Sequence, residues 1–257
     1  MAENAEVFCQ RIAQYVEDRL GIATEYIAGI PWQERERLFD RGAIQILWLC
    51  GWPYVDKADS LDSGMELLAA PVPAAPRYNS RPLYYSDVVV RNDSPYQSFL
   101  ELRGTPWSYN EPRSHSGFNV VRAYLAELGQ TGGFFGTATE SGAHSRSIEM
   151  ILSGEVAGAA IDSTVLEWAI SENRDLKERL RVIDTIGPSP IPPWVISNTV
   201  PRNLRDELRA LFFAMDGDDL GHEILRASGI ERFAEVADSD YDPIRRMAYK
   251  ARQVLLA

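Results

Sequence analysis

Apolar residues in the first fifty positions recur with two different spacings. Residues 6–20 carry them three to four apart, which is the spacing of an amphipathic helix that a glycine then ends. The run ATEYIAGI at 23–30 alternates weakly, as a strand does, and QERERLFDRG is typical of a helix that ends at Gly42. The apolar run AIQILWLC at 43–50 predicts a buried strand. Helix and strand are therefore predicted to alternate from the start.

The same alternation continues through the middle of the chain. YYSDVVVR at 84–91 predicts a strand, and a short strand near 107–109 leads through the turn NEPRSHSG into a helix over 118–129. Further helical and apolar runs alternate up to LRVIDTI at 180–186. Strands that are separated by helices favour parallel sheets, so the predicted fold class is α/β.

Prolines concentrate in two stretches, near 71–85 and 186–194. Because proline restricts the backbone and interrupts strand pairing, both stretches are expected to connect separate parts of the fold. We predict two lobes: residues 1–84 with 190–257, built from both chain ends, and an inserted lobe of residues 85–189. A central cleft would lie between them, with binding residues on the loops that follow strands.

Charge narrows the choice of partners. The 257 residues carry a formal net charge of -11, which disfavours nucleic acid because binding to a phosphate backbone requires an excess of Lys and Arg. A small anion would also be repelled at long range, so an anion site must depend on amides, hydroxyls and a helix end. Two cysteines are too few for a disulfide framework or a cysteine-rich metal site, and no stretch approaches the ~20 apolar residues of a membrane helix.

One turn combines several groups that bind anions. Arg113-Ser114-His115-Ser116-Gly117 directly precedes a predicted helix. A helix start has unpaired N–H groups and a partial positive charge, and the two serines add hydroxyl donors. This pattern predicts an oxyanion cradle. The same residues also fit an ordinary N-cap by Ser114 or Ser116, which needs no ligand.

His144 follows GTATESGA and lies at a second junction between a strand and a helix in the same lobe. Its ring could donate a hydrogen bond to an anion, although single histidines are commonly structural. A Ser116–His144 nucleophile and base, oriented by Asp162, is one catalytic arrangement that can be drawn, but no spacing requires it. The motifs GxSxG, HExxH, GxGxxG and Walker A are absent from the sequence.

Aromatic residues cluster where strands are predicted to end. Trp32, Trp52, Tyr54 and Tyr84 fit equally well as walls of a cleft and as core residues. Trp48 lies inside an apolar run and is predicted to pack in the core.

Five segments together resemble the phosphate, phosphite and phosphonate solute-binding proteins of ABC transporters. They are YYSDVVVRNDSP, LRGTPWSYNEPRSHSGFNVVRAYLAELG, AHSRSIEMILSGEVAGAAIDSTVLE, SPIPPW and DYDPIRRMA, and they extend over nearly the whole chain. The resemblance implies a type II periplasmic-binding-protein fold, in which two α/β lobes joined by two hinge crossings close over a ligand. It also implies capture of a phosphorus oxyanion for import, without catalysis and without a cofactor or metal.

The resemblance also implies which residues bind the ligand. In this family a Ser-Thr-Ser-Gly turn at a helix start holds the phosphorus oxygens, and that turn corresponds here to residues 114–117, with histidine in place of threonine. A family histidine thirty residues beyond the first serine corresponds to His144, and two family aromatics correspond to Tyr84 and Trp32. With one further aromatic residue, the predicted ligand-binding residues are Ser114, His115, Ser116, Gly117, His144, Tyr84, Trp32 and Tyr54.

The chain departs from the family pattern in two places. An acidic residue that follows the return crossing in some aminoalkylphosphonate binders is replaced by Ile191-Pro192-Pro193-Trp194, which disfavours an amine-bearing ligand. Family members also open with a strand before the first helix, whereas this chain starts almost at that helix and has no visible export signal. A late start, or a missing signal and strand, would explain this. The resemblance implies the periplasm, while the chain as given would remain in the cytoplasm.

Two further functions stay open from the sequence. A ligand-sensing module of the same fold could bind another small anion, because a fold does not determine its ligand. An enzyme that uses Ser116 and His144 is the other alternative. For the capture function we expect a small anionic ligand and an ABC transporter permease as partners, no nucleic acid, no direct membrane span, and a monomer.

Overall fold

The computed structural model describes residues 3–61 and 63–257, which form two compact units. The first unit contains Glu3–Leu83 and Pro190–Tyr241, and the second contains Tyr84–Ser189 and Asp242–Ala257. Residues 1, 2 and 62 of the predicted first lobe lie outside the described residues.

Helices and strands alternate along the chain, and the predicted α/β class is confirmed. In chain order they are α1 (Glu3–Leu20), α2 (Trp32–Asp40), β1 (Ile46–Trp48), α3 (Gly51–Ala58), β2 (Met65–Pro73), β3 (Leu83–Arg91), β4 (Pro106–Tyr109), α4 (Val120–Glu127), β5 (Thr137–Glu140), α5 (His144–Ser153), β6 (Gly158–Asp162), α6 (Ser163–Glu172), α7 (Asp175–Arg179), β7 (Leu180–Pro190), β8 (Trp194–Ser197), α8 (Arg202–Phe213), α9 (Asp219–Ala227), β9 (Ile230–Ala234) and α10 (Asp242–Ala251).

The C-terminal residues 242–257 belong to the second unit, so their assignment to the first lobe was wrong. Helix α10 packs against α4 of the second unit. The residues after it bond there as well: Arg122 Nε donates to Val254 O at 2.8 Å, and the N–H groups of Phe134 and Phe135 donate to Leu256 O. The chain therefore crosses between the units a third time, after Tyr241.

The first unit is built on a four-stranded sheet in the order β1-β8-β2-β9. Its pairings are antiparallel, which corrects the expectation of parallel sheets for this part of the chain. Strand β8 lies inside the sheet and all four of its residues are buried. Trp194 of β8 stacks on Trp48 with ring centroids 5.6 Å apart, and Phe8 of α1 meets both rings edge-on. Trp48 thus packs against the core, as predicted.

Residues 21–31 form no strand, so the strand predicted at 23–30 is wrong. An alternating sequence becomes a strand only where a neighbour offers backbone partners, and none of the described strands pairs with this segment. A cavity of about 470 Å³ in the same unit is lined by residues of this segment, of α1 and of β1. The first unit therefore has an apolar cavity where its sheet ends at β1.

The second unit is built on a five-stranded sheet in the order β5-β4-β6-β3-β7. Strand β4 pairs in parallel with both β5 and β6, while β3 and β6 are antiparallel, so the sheet is mixed. The β3 valines are buried on both faces: Val88 and Val90 join one core cluster, and Val89 joins the other. Because both faces of β3 are buried, YYSDVVVR contains consecutive apolar residues and does not alternate strictly between apolar and polar ones.

Three helices of the second unit start just beyond its parallel strands. Strand β4 leads into the turn before α4, β5 leads into α5, and β6 leads directly into α6. Because parallel strands place their carboxyl ends at one edge of a sheet, the three helix starts come together at that edge. The candidate site is built there.

Candidate functional site

The turn before α4 is a wide helical turn with a serine cap. Residues His115–Asn119 form a π-helical turn, and the N–H of Val120 donates to His115 O. Ser114 is its N-cap, and its Oγ accepts a hydrogen bond from the N–H of Gly117 at 3.1 Å. The N-cap reading of Ser114 is therefore correct. It does not exclude a ligand, since the hydroxyl proton of Ser114 remains available to donate.

The two serine hydroxyls of this turn lie side by side. Ser114 Oγ and Ser116 Oγ are 3.4 Å apart, and both residues are buried. The backbone at Gly117 must approach Asn110 closely, because a Cβ there would collide with Asn110 Oδ1 and lie 3.3 Å from the Asn110 backbone nitrogen. Glycine is therefore required for the turn to pack on the loop that follows β4.

His144 joins this turn from the start of α5. Its Nε2 lies 2.9 Å from Ser116 Oγ, and its relative exposure is 9%. Among the described residues, no hydrogen-bond partner meets its buried Nδ1. Burial lowers the pKa of His144 to about 3, because an imidazolium would lose its hydration there. The ring is therefore neutral near pH 7, with one buried nitrogen that a ligand could satisfy.

His115 is more deeply buried than the two serines beside it. Its Nε2 lies 3.0 Å from Ser189 Oγ on β7, and its Nδ1 lies 3.1 Å from Asn119 Nδ2. The Tyr84 ring of β3 meets the imidazole edge-on, with ring centres 6.5 Å apart. Burial lowers the pKa of His115 to about 3 as well. Both histidines of the site are thus neutral groups.

The predicted residues divide between the two units. Ser114, His115, Ser116, Gly117, His144 and Tyr84 come together in the second unit. Tyr54 is buried in the first unit, where its hydroxyl donates to Asp238 Oδ1 at 2.8 Å and its ring packs on Tyr241. Trp32 begins α2 and is partly buried. Ligand contact by Tyr54 and Trp32 stays a prediction.

Asp162 does not orient His144. It caps α6, where its Oδ1 accepts from the N–H of Thr164 at 2.9 Å and from Thr164 Oγ1 at 2.7 Å. Burial raises the pKa of Asp162 to about 6, against the effect of these two hydrogen bonds. The Ser116–His144 pair therefore exists at hydrogen-bond distance, but no carboxylate of the described residues bonds His144 Nδ1, although the catalytic hypothesis requires such a bond.

Sequence reasoning missed the polar residues that surround the turn. Asn119 lies four residues after His115, one helical turn on, and this spacing could have indicated the contact. Asn110 and Ser189 come from the loop after β4 and from the proline-rich stretch, and nothing local links them to the turn. Asn110 Oδ1 and Asn119 Oδ1 are buried without a partner among the described residues.

The part of the chain that the structure describes shows neither a metal-binding cluster nor a helix that could span a membrane. It contains no cluster of three or more His, Cys, Asp or Glu side chains that could hold a metal ion. None of its helices combines the length and apolar character needed to cross a bilayer.

Comparison with known proteins assigns the chain to a family. The family model described as ABC transporter, phosphonate, periplasmic substrate-binding protein matches residues 2–241. A binding protein component of an ABC phosphonate transporter from Pseudomonas aeruginosa matches with a TM-score of 0.85 and 19% identity, covering 98% of this chain and 84% of that one.

Two further solved structures share the fold. PhnD1 from Prochlorococcus marinus, in complex with methylphosphonate, has a TM-score of 0.84, 17% identity, and coverage of 98% of this chain and 94% of its own. A protein from Xanthomonas citri bound to ATP has a TM-score of 0.74, 13% identity, and coverage of 98% and 94%.

The fold is that of the type II periplasmic-binding proteins, as the resemblance implied. The chain belongs to the phosphonate-binding family of ABC transporter substrate-binding proteins.

Proposed function

We propose that this protein captures a small phosphorus oxyanion, which is a phosphonate, phosphite or phosphate, for ABC-type import and releases it unchanged. The observation that carries the proposal is the pair of hydroxyls at the start of α4, 3.4 Å apart, beside a buried imidazole nitrogen at the start of α5 that has no partner among residues 3–61 and 63–257. A helix start favours an anion, and a buried polar atom without a partner costs free energy that a ligand would recover.

The chemistry of these groups fits recognition through hydrogen bonds and not through ion pairs. With a net charge of -11 on the chain and neutral rings at His115 and His144, no imidazolium attracts the ligand. Hydroxyl and N–H donors in a buried site form strong hydrogen bonds to an ionised oxygen. Tyr84, Trp32 and Tyr54 are proposed as the aromatic residues around the organic part of the ligand.

Family membership supports the remaining parts of the proposal. The family is described as periplasmic and as part of ABC transporters, so we place the protein outside the cytoplasm with a permease as its partner. PhnD1, which shares the fold, was solved with methylphosphonate, and this favours a phosphonate as the first ligand to test. We propose that the protein acts as a monomer.

Catalysis is the alternative that a specific distance favours. Ser116 Oγ lies 2.9 Å from His144 Nε2, within the reach of a nucleophile and base pair. Against it, burial lowers the pKa of His144 to about 3, and no carboxylate within the described part of the chain bonds its Nδ1, so the ring would accept a proton poorly near pH 7. Capture without conversion therefore fits the geometry better.

A ligand panel tests the proposal. Methylphosphonate, phosphite, phosphate, sulfate and ATP are each added to the protein, and binding is measured by calorimetry and thermal shift. We expect at least one phosphorus oxyanion to bind and raise Tm by mass action, with no product formed. Ser116→Ala should weaken that binding roughly tenfold or more, because a hydrogen bond to a charged oxygen is lost.

The matched control is Ser171→Ala, which removes an exposed serine at the end of α6 and should leave binding unchanged. Absence of binding by all three phosphorus oxyanions would contradict the proposal. Binding of sulfate or ATP alone would instead support a module for another anion. Turnover that Ser116→Ala abolishes would support the enzyme.

A further inference from the structure

The side chain of His115 makes hydrogen-bond contacts inside the second unit through both of its ring nitrogens. None of its surface is exposed. Its two ring nitrogens meet Ser189 Oγ at 3.0 Å and Asn119 Nδ2 at 3.1 Å. Contacts at both nitrogens indicate a group that holds other residues in place and does not itself grip a ligand.

The direction of these hydrogen bonds follows from the amide of Asn119. A side-chain NH2 group only donates, so Asn119 donates to His115 Nδ1, and that nitrogen carries no proton. A neutral ring then carries its single proton on Nε2, which donates to Ser189 Oγ. The hydroxyl proton of Ser189 stays available for another acceptor.

Ser189 is a firm attachment point for the turn. It lies near the end of β7 with a relative exposure of 2%, and both of its chain neighbours are prolines, whose rings restrict the backbone. The turn itself is π-helical, a conformation that is rare and is maintained by its surroundings. One hydrogen bond between the two therefore joins a π-helical turn to a conformationally restricted part of β7.

We propose that His115 is a positioning residue, which holds the Ser114–Gly117 turn against β7 through its hydrogen bond to Ser189 and thereby keeps the two serine hydroxyls in place for the anion. The functional half of this inference rests on the proposed function of the turn. Its structural half concerns the protein without ligand and can be tested separately.

Two substitutions of His115 separate the contacts of the two ring nitrogens. In His115→Gln the side-chain amide reaches as far as Nε2 and can still donate to Ser189. In His115→Asn the amide reaches only the position of Nδ1, so the contact with Ser189 is lost while a polar group remains near Asn119. Ser189→Ala removes the acceptor, and His222→Gln, at an exposed histidine of α9, is the control.

Affinity for methylphosphonate is measured first. We expect His115→Asn and Ser189→Ala each to weaken binding roughly three- to tenfold, the effect of one neutral hydrogen bond. The double variant should be no weaker than the weaker single variant, because both changes remove the same contact. His115→Gln should recover affinity to within about threefold of the wild type. Losses that multiply in the double variant, or an equal loss in His115→Gln and His115→Asn, would overturn the proposal.

The ligand-free protein provides the second measurement. Nitrogen NMR of the His115 ring should show a neutral imidazole with its proton on Nε2, and a proton on Nδ1 would overturn the assignment. The amide N–H of Gly117, which donates to Ser114 Oγ, should exchange faster in His115→Asn and Ser189→Ala than in His115→Gln. Unchanged exchange in both would overturn the proposal. A second outcome is that the wild type binds no phosphorus oxyanion while the proton position on His115 and the exchange rates of Gly117 are as expected. In that case only the proposed function would be contradicted.

Discussion

Burial of His115 and His144 makes the folding stability of this protein sensitive to acid. Both rings are neutral in the folded protein, with pKa values of about 3, whereas an unfolded histidine titrates near 6.5. Between these values the unfolded chain binds more protons than the folded one. Stability from this source is complete above about pH 6.5 and is lost as the pH falls towards 3.

Asp162 acts in the opposite direction. Its pKa is about 6 in the folded protein and near 3.9 when unfolded, so the folded state takes up a proton as the pH falls through 6 and gains stability. Asp162 is only partly buried, and solvent reduces this gain. The two buried histidines should therefore dominate the pH dependence of stability.

We predict that the free energy of unfolding falls by about 2 kcal/mol or more between pH 7 and pH 5. Each histidine lowers it by up to ~1.4 kcal/mol per pH unit, and protonation of Asp162 in the folded protein offsets part of this loss. Urea unfolding at both pH values measures the change. His144→Gln should reduce the pH dependence markedly, and His222→Gln should not. Equal stability at pH 5 and pH 7 would contradict the neutral burial of these rings.

At the scale of elements, the parallel strands of the second unit explain why the site forms. The carboxyl ends of β4 and β5 are adjacent, with Tyr109 opposite Glu140, so the turn before α4 and the start of α5 come together. Ser116 and His144 are 28 residues apart in sequence and 2.9 Å apart in space. Strand pairing, and not the loop sequence, brings them into contact.

The segment 21–31 shows the opposite case, because its weakly alternating apolar and polar residues pair with none of the described strands. Its residues line the 470 Å³ cavity beside β1 without joining the sheet. We predict that the backbone amides of Tyr26 and Ile27 exchange with solvent much faster than those of Val88–Val90, which are paired with β6. Hydrogen exchange resolved by NMR measures this. Equal protection of the two segments would mean that residues 23–30 do pair as a strand.

The whole molecule carries a net charge of -11 and, in the proposed function, binds an anion. Long-range repulsion should then slow the approach of the ligand, while hydrogen bonds in the buried turn govern its release. We predict that the association rate for methylphosphonate rises roughly a fewfold when sodium chloride increases from about 10 mM to 150 mM. Stopped-flow fluorescence measures it. The dissociation rate is the internal control and should change little; an association rate that falls with salt would indicate a local positive field at the site.

Much of the local structure and part of the site could be predicted from the sequence. The helices α1, α4, α5 and α6 follow from apolar spacing, because the contacts that define a helix join residues three and four apart. The turn at Ser114–Gly117 was identified because its donors and the helix start are adjacent in the chain. The family assignment was likewise available from short segments, and the family model confirms it.

Other features depend on residues that are far apart in the chain, and only the tertiary structure decided them. The partners of His115, the antiparallel pairing of the first sheet, the unpaired segment at 23–30 and the docking of residues 242–257 on the second unit all belong to this group. The amino-acid sequence by itself determined the net charge, the local elements and the donors of the turn, because these require only near neighbours. The free energy of packing distant segments together decides which strands pair and which hydroxyl meets a histidine. These contacts form only once the chain is folded.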